Sequence, residues 1–344
     1  MVTEVLSWDL DNEYALVKGA QIIKDGGLVG IPTETVYGLG ACAYDASACL
    51  NIFKAKGRPA DNPLIVHILN PEDAEKIAVT CPLYYKLAEK FMPGPLTVIL
   101  PKRDIIPSEV TAGLDSVAVR CPVHKVARRI IELSGVPIAA PSANKSGMPS
   151  PTTAQHVFND MNGEIPLIID AGACDVGVES TVIKITNDEI VLLRPGAVTP
   201  EMLKDVCDNV TISSAVITEL KVGEVALSPG MKYKHYSPKA SLYLVADSED
   251  FISLAQRKAR ETKCAIMCYD EEAQALDGLI LLTVGKKNDI KEQTKRLFDL
   301  LRRADELGVE QIYAHLPKKE EYSLALYNRM IRAAAHKIIG GVNG

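Results

Sequence analysis

The chain has 344 residues, a formal net charge of −6, 47% hydrophobic residues and 24% charged ones. That length exceeds one ordinary core, so two domains are expected, and the composition is that of a globular chain, not a disordered one. No run of 18 apolar residues occurs, and the acidic start Met1–Glu13 holds no basic residue. The expectation is a cytosolic protein with no signal and no membrane span.

The eight cysteines include no CxxC pair and no Cys/His zinc spacing, so buried thiols are expected and no structural metal. A charge of −6 argues against nucleic-acid affinity over the whole surface and leaves room for a local basic patch.

In chain order, Asp11 or Asn12 can cap a first helix whose Leu16, Ala20 and Ile23 share a face and which Gly26-Gly27 ends. A strand at Leu28–Ile31 and a loop at Pro32–Gly40 follow, then a helix over Ala46–Lys56. Short strands are expected at Leu64–Leu69, Leu96–Leu100, Val117–Arg120, Pro137–Ala140 and Leu167–Asp170. Thr181–Ile185 and Ile190–Arg194 flank a hairpin turn at Thr186–Glu189. Strands mixed with helices and a late hairpin imply an α/β domain with a mixed sheet over residues 1–210.

Residues 211–241 read as a linker, with Ser228–Pro238 rich in Pro, Tyr, Lys and His. Aromatic and cationic groups on a loop suit a lid over a ligand better than an inert tether does. Residues 242–344 alternate strands (Leu242–Val245, Cys264–Tyr269, Leu279–Thr283, Gln311–Ala314) with helices near 249–262, 289–307 and 321–339. That pattern predicts a smaller parallel, Rossmann-like α/β domain, and no G-x-G-x-x-G supports dinucleotide binding there.

Two clusters carry the chemistry. Lys56 and Arg58 close a helix in Lys54–Pro59, and a guanidinium fork with an ammonium suits a phosphate chain. Ser142 and Asn144 lie in the turn-forming Pro141–Gly147 directly after an apolar strand, offering a hydroxyl and an amide to the rest of a nucleotide. Thr33, Glu34 and Thr35 emerge at a strand end, where open α/β sheets bind ligands.

His67 sits in an apolar strand, where a histidine is more often structural. Arg120 and Arg194 end strands and could clamp an anion bidentately, and Glu179-Ser180-Thr181 opens another strand. Each has an ordinary surface or capping explanation alone; the collection tips the balance. No G-x-S-x-G elbow, Cys/His pair or H-E-x-x-H stands out, which favours positioning and charge stabilisation over a covalent intermediate.

Pro32–Gly40, Lys54–Pro59, Pro141–Gly147, Glu179–Val182 and Leu193–Gly196 together resemble the YrdC-type threonylcarbamoyl-AMP synthase family over about residues 10–210. The linker and tail resemble its long, two-domain form. The resemblance implies an N-terminal YrdC-like twisted mixed-sheet α/β domain and a smaller parallel one. It implies a nucleotidyltransferase joining L-threonine, bicarbonate or CO2 and ATP, with Mg²⁺, into L-threonylcarbamoyl-adenylate and pyrophosphate. Other proteins then transfer the threonylcarbamoyl group to N6 of the adenosine 3′ of the anticodon in tRNA.

By the same resemblance, threonine is held by Thr35, His67, Arg120, the Ala140 backbone and Ser180. ATP is held by Arg58, Asn62, Ser116, Ser142, Ser150 and Arg194, with Tyr233 of the linker closing over it. Lys56, Arg58, Ser142 and Asn144 form the catalytic set. The competing readings are an RNA-binding module using Lys54, Lys56, Arg58, Arg120 and Lys145, and a carbamoyl-transfer module of hydrogenase maturation. The latter's zinc-finger and acylphosphatase segments are not visible.

Overall fold

The computed structural model describes residues 2–9, 13–216 and 236–340. They form two compact units: residues 2–146 with 150–216, and residues 147–149 with 236–340. Among the described residues no helix is long and apolar enough to cross a membrane.

The first half of the first unit runs β1 (Glu4–Ser7), α1 (Tyr14–Lys24), β2 (Val29–Ile31), β3 (Gly38–Cys42), α2 (Ala46–Lys56), β4 (Ile65–His67), α3 (Pro82–Phe91) and β5 (Leu96–Pro101). It continues with α4 (Ser108–Thr111), β6 (Ser116–Arg120), α5 (Lys125–Ser134), β7 (Ile138–Ala139), α6 (Ala154–Met161), β8 (Leu167–Asp170), β9 (Thr181–Thr186), β10 (Glu189–Arg194), α7 (Pro200–Lys204) and β11 (Val210–Ile212). Among the described residues these strands make one sheet in the order β1-β8-β2-β3-β7-β4-β6-β5-β9-β10-β11. It is mixed: β4 runs parallel to β6, while β7 is antiparallel to both β3 and β4. On one layer α1 and α5 bury Leu16, Ile23, Val126 and Ile130 against Val29, Ile138, Leu167 and Ile169.

Local chemistry fixes the pieces that matter for the site. The Asp45 side chain accepts from Ala48 N at 3.0 Å and caps α2. Gly57, at φ 61°, ends it in the left-handed region, and Arg58 N donates back to the Phe53 carbonyl at 2.9 Å. Lys56 thus stands on the last turn and Arg58 just beyond the cap. In the β9–β10 hairpin, Asn187 and Asp188 adopt φ 49° and 59°, values these two residue types tolerate best after glycine.

Four expectations are corrected. The loop expected at Pro32–Gly40 ends early, because Gly38–Cys42 is a strand paired with β2 and β7. A Cβ on Gly40 would lie 2.5 Å from Ile31 Cδ1, so this glycine serves close strand packing and not a flexible loop. The first strand, Glu4–Ser7, was not anticipated; its partner is β8, some 160 residues away, which no local pattern announces. The first helix has Glu13 as its N-cap residue, and the expected caps Asp11 and Asn12 lie outside the described residues. The last helix is shorter than 321–339, as the second unit makes clear.

That unit runs β12 (Ser241–Val245), α8 (Phe251–Glu261), β13 (Cys264–Met267), β14 (Ile280–Leu281), α9 (Ile290–Glu306), β15 (Gln311–His315), α10 (Leu324–Ala333) and β16 (Ile338–Ile339). All its strand pairings are parallel, in the order β14-β13-β15-β12-β16. Ala335 and His336, at φ 47° and 60°, break the helix and return the chain to the sheet edge as β16. Gly147–Pro149 belong to this unit: the Gly147 carbonyl accepts from Ser237 N at 3.0 Å and the Pro149 carbonyl from Arg302 Nη2 at 2.6 Å. At the carboxyl end of β15, His315 stacks between Phe251 and Tyr269 and bonds the Glu272 carboxylate at 2.9 Å.

Candidate active site

Five strands of the first unit bring the groups of the site together. β7 lies between β3 and β4, and the bridge Gly38–Ser142 carries the Ser142 loop beside the start of β3. His67 and Arg120 are paired neighbours in β4 and β6, and Thr97 of β5 pairs with Arg120.

The Thr33–Tyr37 loop is fixed by backbone bonds on several sides. Val176 N donates to the Glu34 carbonyl, Gly177 N to Thr35, Ala143 N to Tyr37, and Tyr37 N to the Pro151 carbonyl. The Tyr37 ring is fully buried, and its hydroxyl donates to the Gly172 carbonyl at 2.7 Å. Thr35 is also fully buried, with its hydroxyl 2.9 Å from that of Thr33.

Glu34 and Arg120 form an ion pair at 2.6 Å with both side chains 5% exposed. Burial pushes the Glu34 carboxyl up, but the charge and hydrogen bond of Arg120 outweigh it and hold the group below the usual carboxylate range. Glu34 Oε2 and Arg120 Nε are buried with no partner among the described residues. Buried polar atoms of this kind call for further hydrogen-bond partners.

His67 is buried beside them. Burial and then the charge of Arg120 lower its pKa to about 3, so the ring is neutral. Its Nδ1 lies 3.3 Å from the Ile138 carbonyl, which can only accept, so this bond is made by the tautomer with its proton on Nδ1. Below it lies a cavity of about 20 Å³ lined by Ile31, Thr33, Gly38, Ala127, Ile131 and Ala140 as well as His67 and Ile138.

The depressed value has a consequence for stability. An unfolded histidine titrates near 6.5, so between that value and about 3 the unfolded chain takes up a proton that the native chain refuses. The stabilisation is complete above about pH 6.5 and is lost as pH falls toward 3. Trp8, packed against the α1–α5 core, reports this unit. Urea titrations followed by its fluorescence are expected to show a loss of about 2 kcal/mol from His67 between pH 7 and pH 5, and His67→Gln to remove most of that loss. An unaltered pH slope in the variant would contradict a neutral His67.

Lys56 is 3% exposed, and its ammonium donates to the carbonyls of Ser142 and Asn144, each at 2.6 Å. The Ser142 hydroxyl donates to Asn144 Oδ1 at 2.5 Å, and Asn144 Nδ2 donates to the Lys145 carbonyl at 2.9 Å. Arg58 Nη2 donates to the Asn62 carbonyl at 2.9 Å, with its guanidinium 5.5 Å from the Phe53 ring. Asn62 is fully buried just before β4, and Ser116 opens the neighbouring parallel strand β6.

On the other flank, Ser180 Oγ lies 2.8 Å from Thr97 Oγ1, and Arg194 donates to both the Ser180 carbonyl at 3.0 Å and its hydroxyl at 3.1 Å. Gly196 allows this approach: a Cβ there would lie 2.5 Å from Thr181 N and 2.7 Å from the Glu179 carbonyl oxygen. Ser150, 1% exposed, hydrogen-bonds through its hydroxyl to the Glu179 carboxylate. Ala140 N donates to the Ile65 carbonyl. Tyr233 lies outside the described residues.

The matched regions follow these elements. A family profile described as "Telomere recombination", Sua5/YciO/YrdC, matches residues 21–196, and one described as "Threonylcarbamoyl-AMP synthase, C-terminal domain" matches residues 198–335. The chain belongs to the Sua5/YciO/YrdC family. Among curated members of the Sua5/YciO/YrdC family, a threonylcarbamoyl-AMP synthase from Pyrococcus abyssi is 44% identical, over 95% of this chain and 96% of its own length. One from Bacillus subtilis is 39% identical, over 98% and 97%. The crystal structure of P. abyssi Sua5 complexed with L-threonine superposes with a TM-score of 0.88 at 41% identity, covering 98% of this chain and 99% of that one.

Three groups at this Sua5/YciO/YrdC site were not on the list drawn from the sequence. Glu34 was visible only as one residue of a strand-end loop and Glu179 only as the first residue of Glu179-Ser180-Thr181, and Thr97 had no signal of its own. Their importance comes from partners 86, 83 and 29 residues away.

Proposed function

We propose that this chain is a threonylcarbamoyl-AMP synthase, which joins L-threonine, bicarbonate or CO2 and ATP into L-threonylcarbamoyl-adenylate and releases pyrophosphate. The buried Glu34–Arg120 pair beside neutral His67 and a small apolar cavity carries the reading. Relatives that share almost the whole chain bear that enzyme's name.

In this reading Arg120 meets the threonine carboxylate and Thr35, His67 Nε2, Ser180 and the Ala140 backbone hold the rest of the amino acid. Arg58, Asn62, Ser116, Ser142, Ser150 and Arg194 hold ATP, with Tyr233 as a lid. The carbamate formed on the threonine amine attacks the α-phosphorus in line, its oxygen–phosphorus bond forming as the bond to pyrophosphate breaks. Arg58 and Arg194 spread the charge on the phosphates. Lys56 acts chiefly through the loop it holds, since its ammonium is bonded to the Ser142 and Asn144 carbonyls.

A divalent cation suits an enzyme that uses ATP, and we assign Mg²⁺. The cations Arg58 and Arg194 suit the phosphates that would bring this metal in as part of the substrate. The labile mixed anhydride calls for a downstream cytoplasmic complex that transfers the group to tRNA.

The test is pyrophosphate release by the full chain. Release is expected only with L-threonine, bicarbonate, ATP and Mg²⁺ all present. Release without threonine, or salt-sensitive tRNA binding with no release at all, would overturn the assignment.

A further inference from the structure

A second cavity, of about 230 Å³, lies between the 3₁₀ turn Pro71–Lys76 and the end of α5. Its apolar walls include Ile68, Ile77, Val136, Pro137 and Ile131. Ile131 also lines the small cavity under His67, so one side chain borders both spaces.

The charged groups at this second cavity are engaged by other protein groups: Lys76 with Asp73 at 2.8 Å, and Glu132 with Arg129 at 2.7 Å. Tyr44, half-buried in the wall, is different: its hydroxyl makes no hydrogen bond among the described residues. A space of about 230 Å³ has room for a single substituted ring. Paired charges favour a neutral ring, and a lone phenol donor asks for an acceptor on it.

We propose that this cavity is an effector site for a small neutral aromatic compound carrying one carbonyl acceptor, and that its occupancy, transmitted through Ile131, weakens threonine binding. The inference rests on assigning the cavity under His67 to threonine. Close-packed interiors pass strain to their neighbours, and a ligand set against Ile131 presses on the wall of that cavity.

Benzamide serves as the probe. Calorimetric titration of the full chain with L-threonine is expected to give a Kd about 5- to 10-fold weaker in saturating benzamide, and threonine is expected to weaken benzamide by the same factor. Tyr44→Phe is expected to weaken benzamide about 5-fold and leave threonine binding alone unchanged. Val136→Trp, which fills the cavity, is expected to abolish the benzamide effect. Benzamide that does not bind, that binds with threonine affinity unchanged, or that still competes in Val136→Trp would overturn the effector site. Threonine that fails to bind without benzamide would overturn the threonine assignment instead.

Discussion

Arg120→Ala is expected to abolish threonine-dependent pyrophosphate release and to destabilise the first unit by about 3–5 kcal/mol. The guanidinium is half of a 2.6 Å pair that is 95% shielded from solvent on each side, so its removal leaves the Glu34 carboxylate buried without its counter-charge. A loss of that size lowers the melting temperature by roughly 10 °C in a unit of this length. Activity and stability separate in the double variant Glu34→Leu/Arg120→Met, where no orphaned charge remains. That protein is expected to recover most of the lost stability and none of the activity. A double variant that regained threonine-dependent turnover would remove Arg120 from threonine binding. Thermal melts and pyrophosphate assays on the three proteins decide it.

Lys56→Met is expected to lower kcat/KM for ATP by a factor on the order of 10²–10³, with a smaller change in the KM for threonine. Methionine nearly matches the volume but removes the ammonium that holds the Ser142 and Asn144 carbonyls at 2.6 Å. The loop loses its anchor, and two partly buried carbonyls lose a charge-assisted bond. If Lys56 works through this loop, Lys56→Met and Ser142→Ala should be far from additive, the double variant being little worse than the worse single one. Additive losses would mean that the ammonium acts on the phosphates directly.

Much of the architecture was legible because it is written locally. Asp45 and Gly57 bracket α2, Thr186–Glu189 turns a hairpin, and the short apolar runs became strands close to where they were expected. The residues of the site were recognisable as types at strand and helix ends. Their partners were not. Nothing around Glu34 names Arg120 as its counter-ion, and nothing around Lys56 says that its ammonium faces main-chain carbonyls 86 and 88 residues on. β3 was concealed for a related reason: its glycines weaken local strand propensity, and pairing with β2 and β7 on both edges overrides it. β16 is two residues long and gains its identity only from lying beside β12.

Several bonds that join the site across the sheet have a long span. Glu34 waits for Arg120, Lys56 for Asn144, Thr97 for Ser180, and the Ser180 loop for the close approach of Gly196. During synthesis, therefore, the complete pocket cannot exist on the ribosome until Gly196 has left the exit tunnel. Pairings of this range are slow to find. Glu34 and Lys56 are made 86 and 88 residues before Arg120 and Asn144, their partners, so these side chains stay solvated until the first unit folds around them. Ligand binding is thus a report that the first unit has closed.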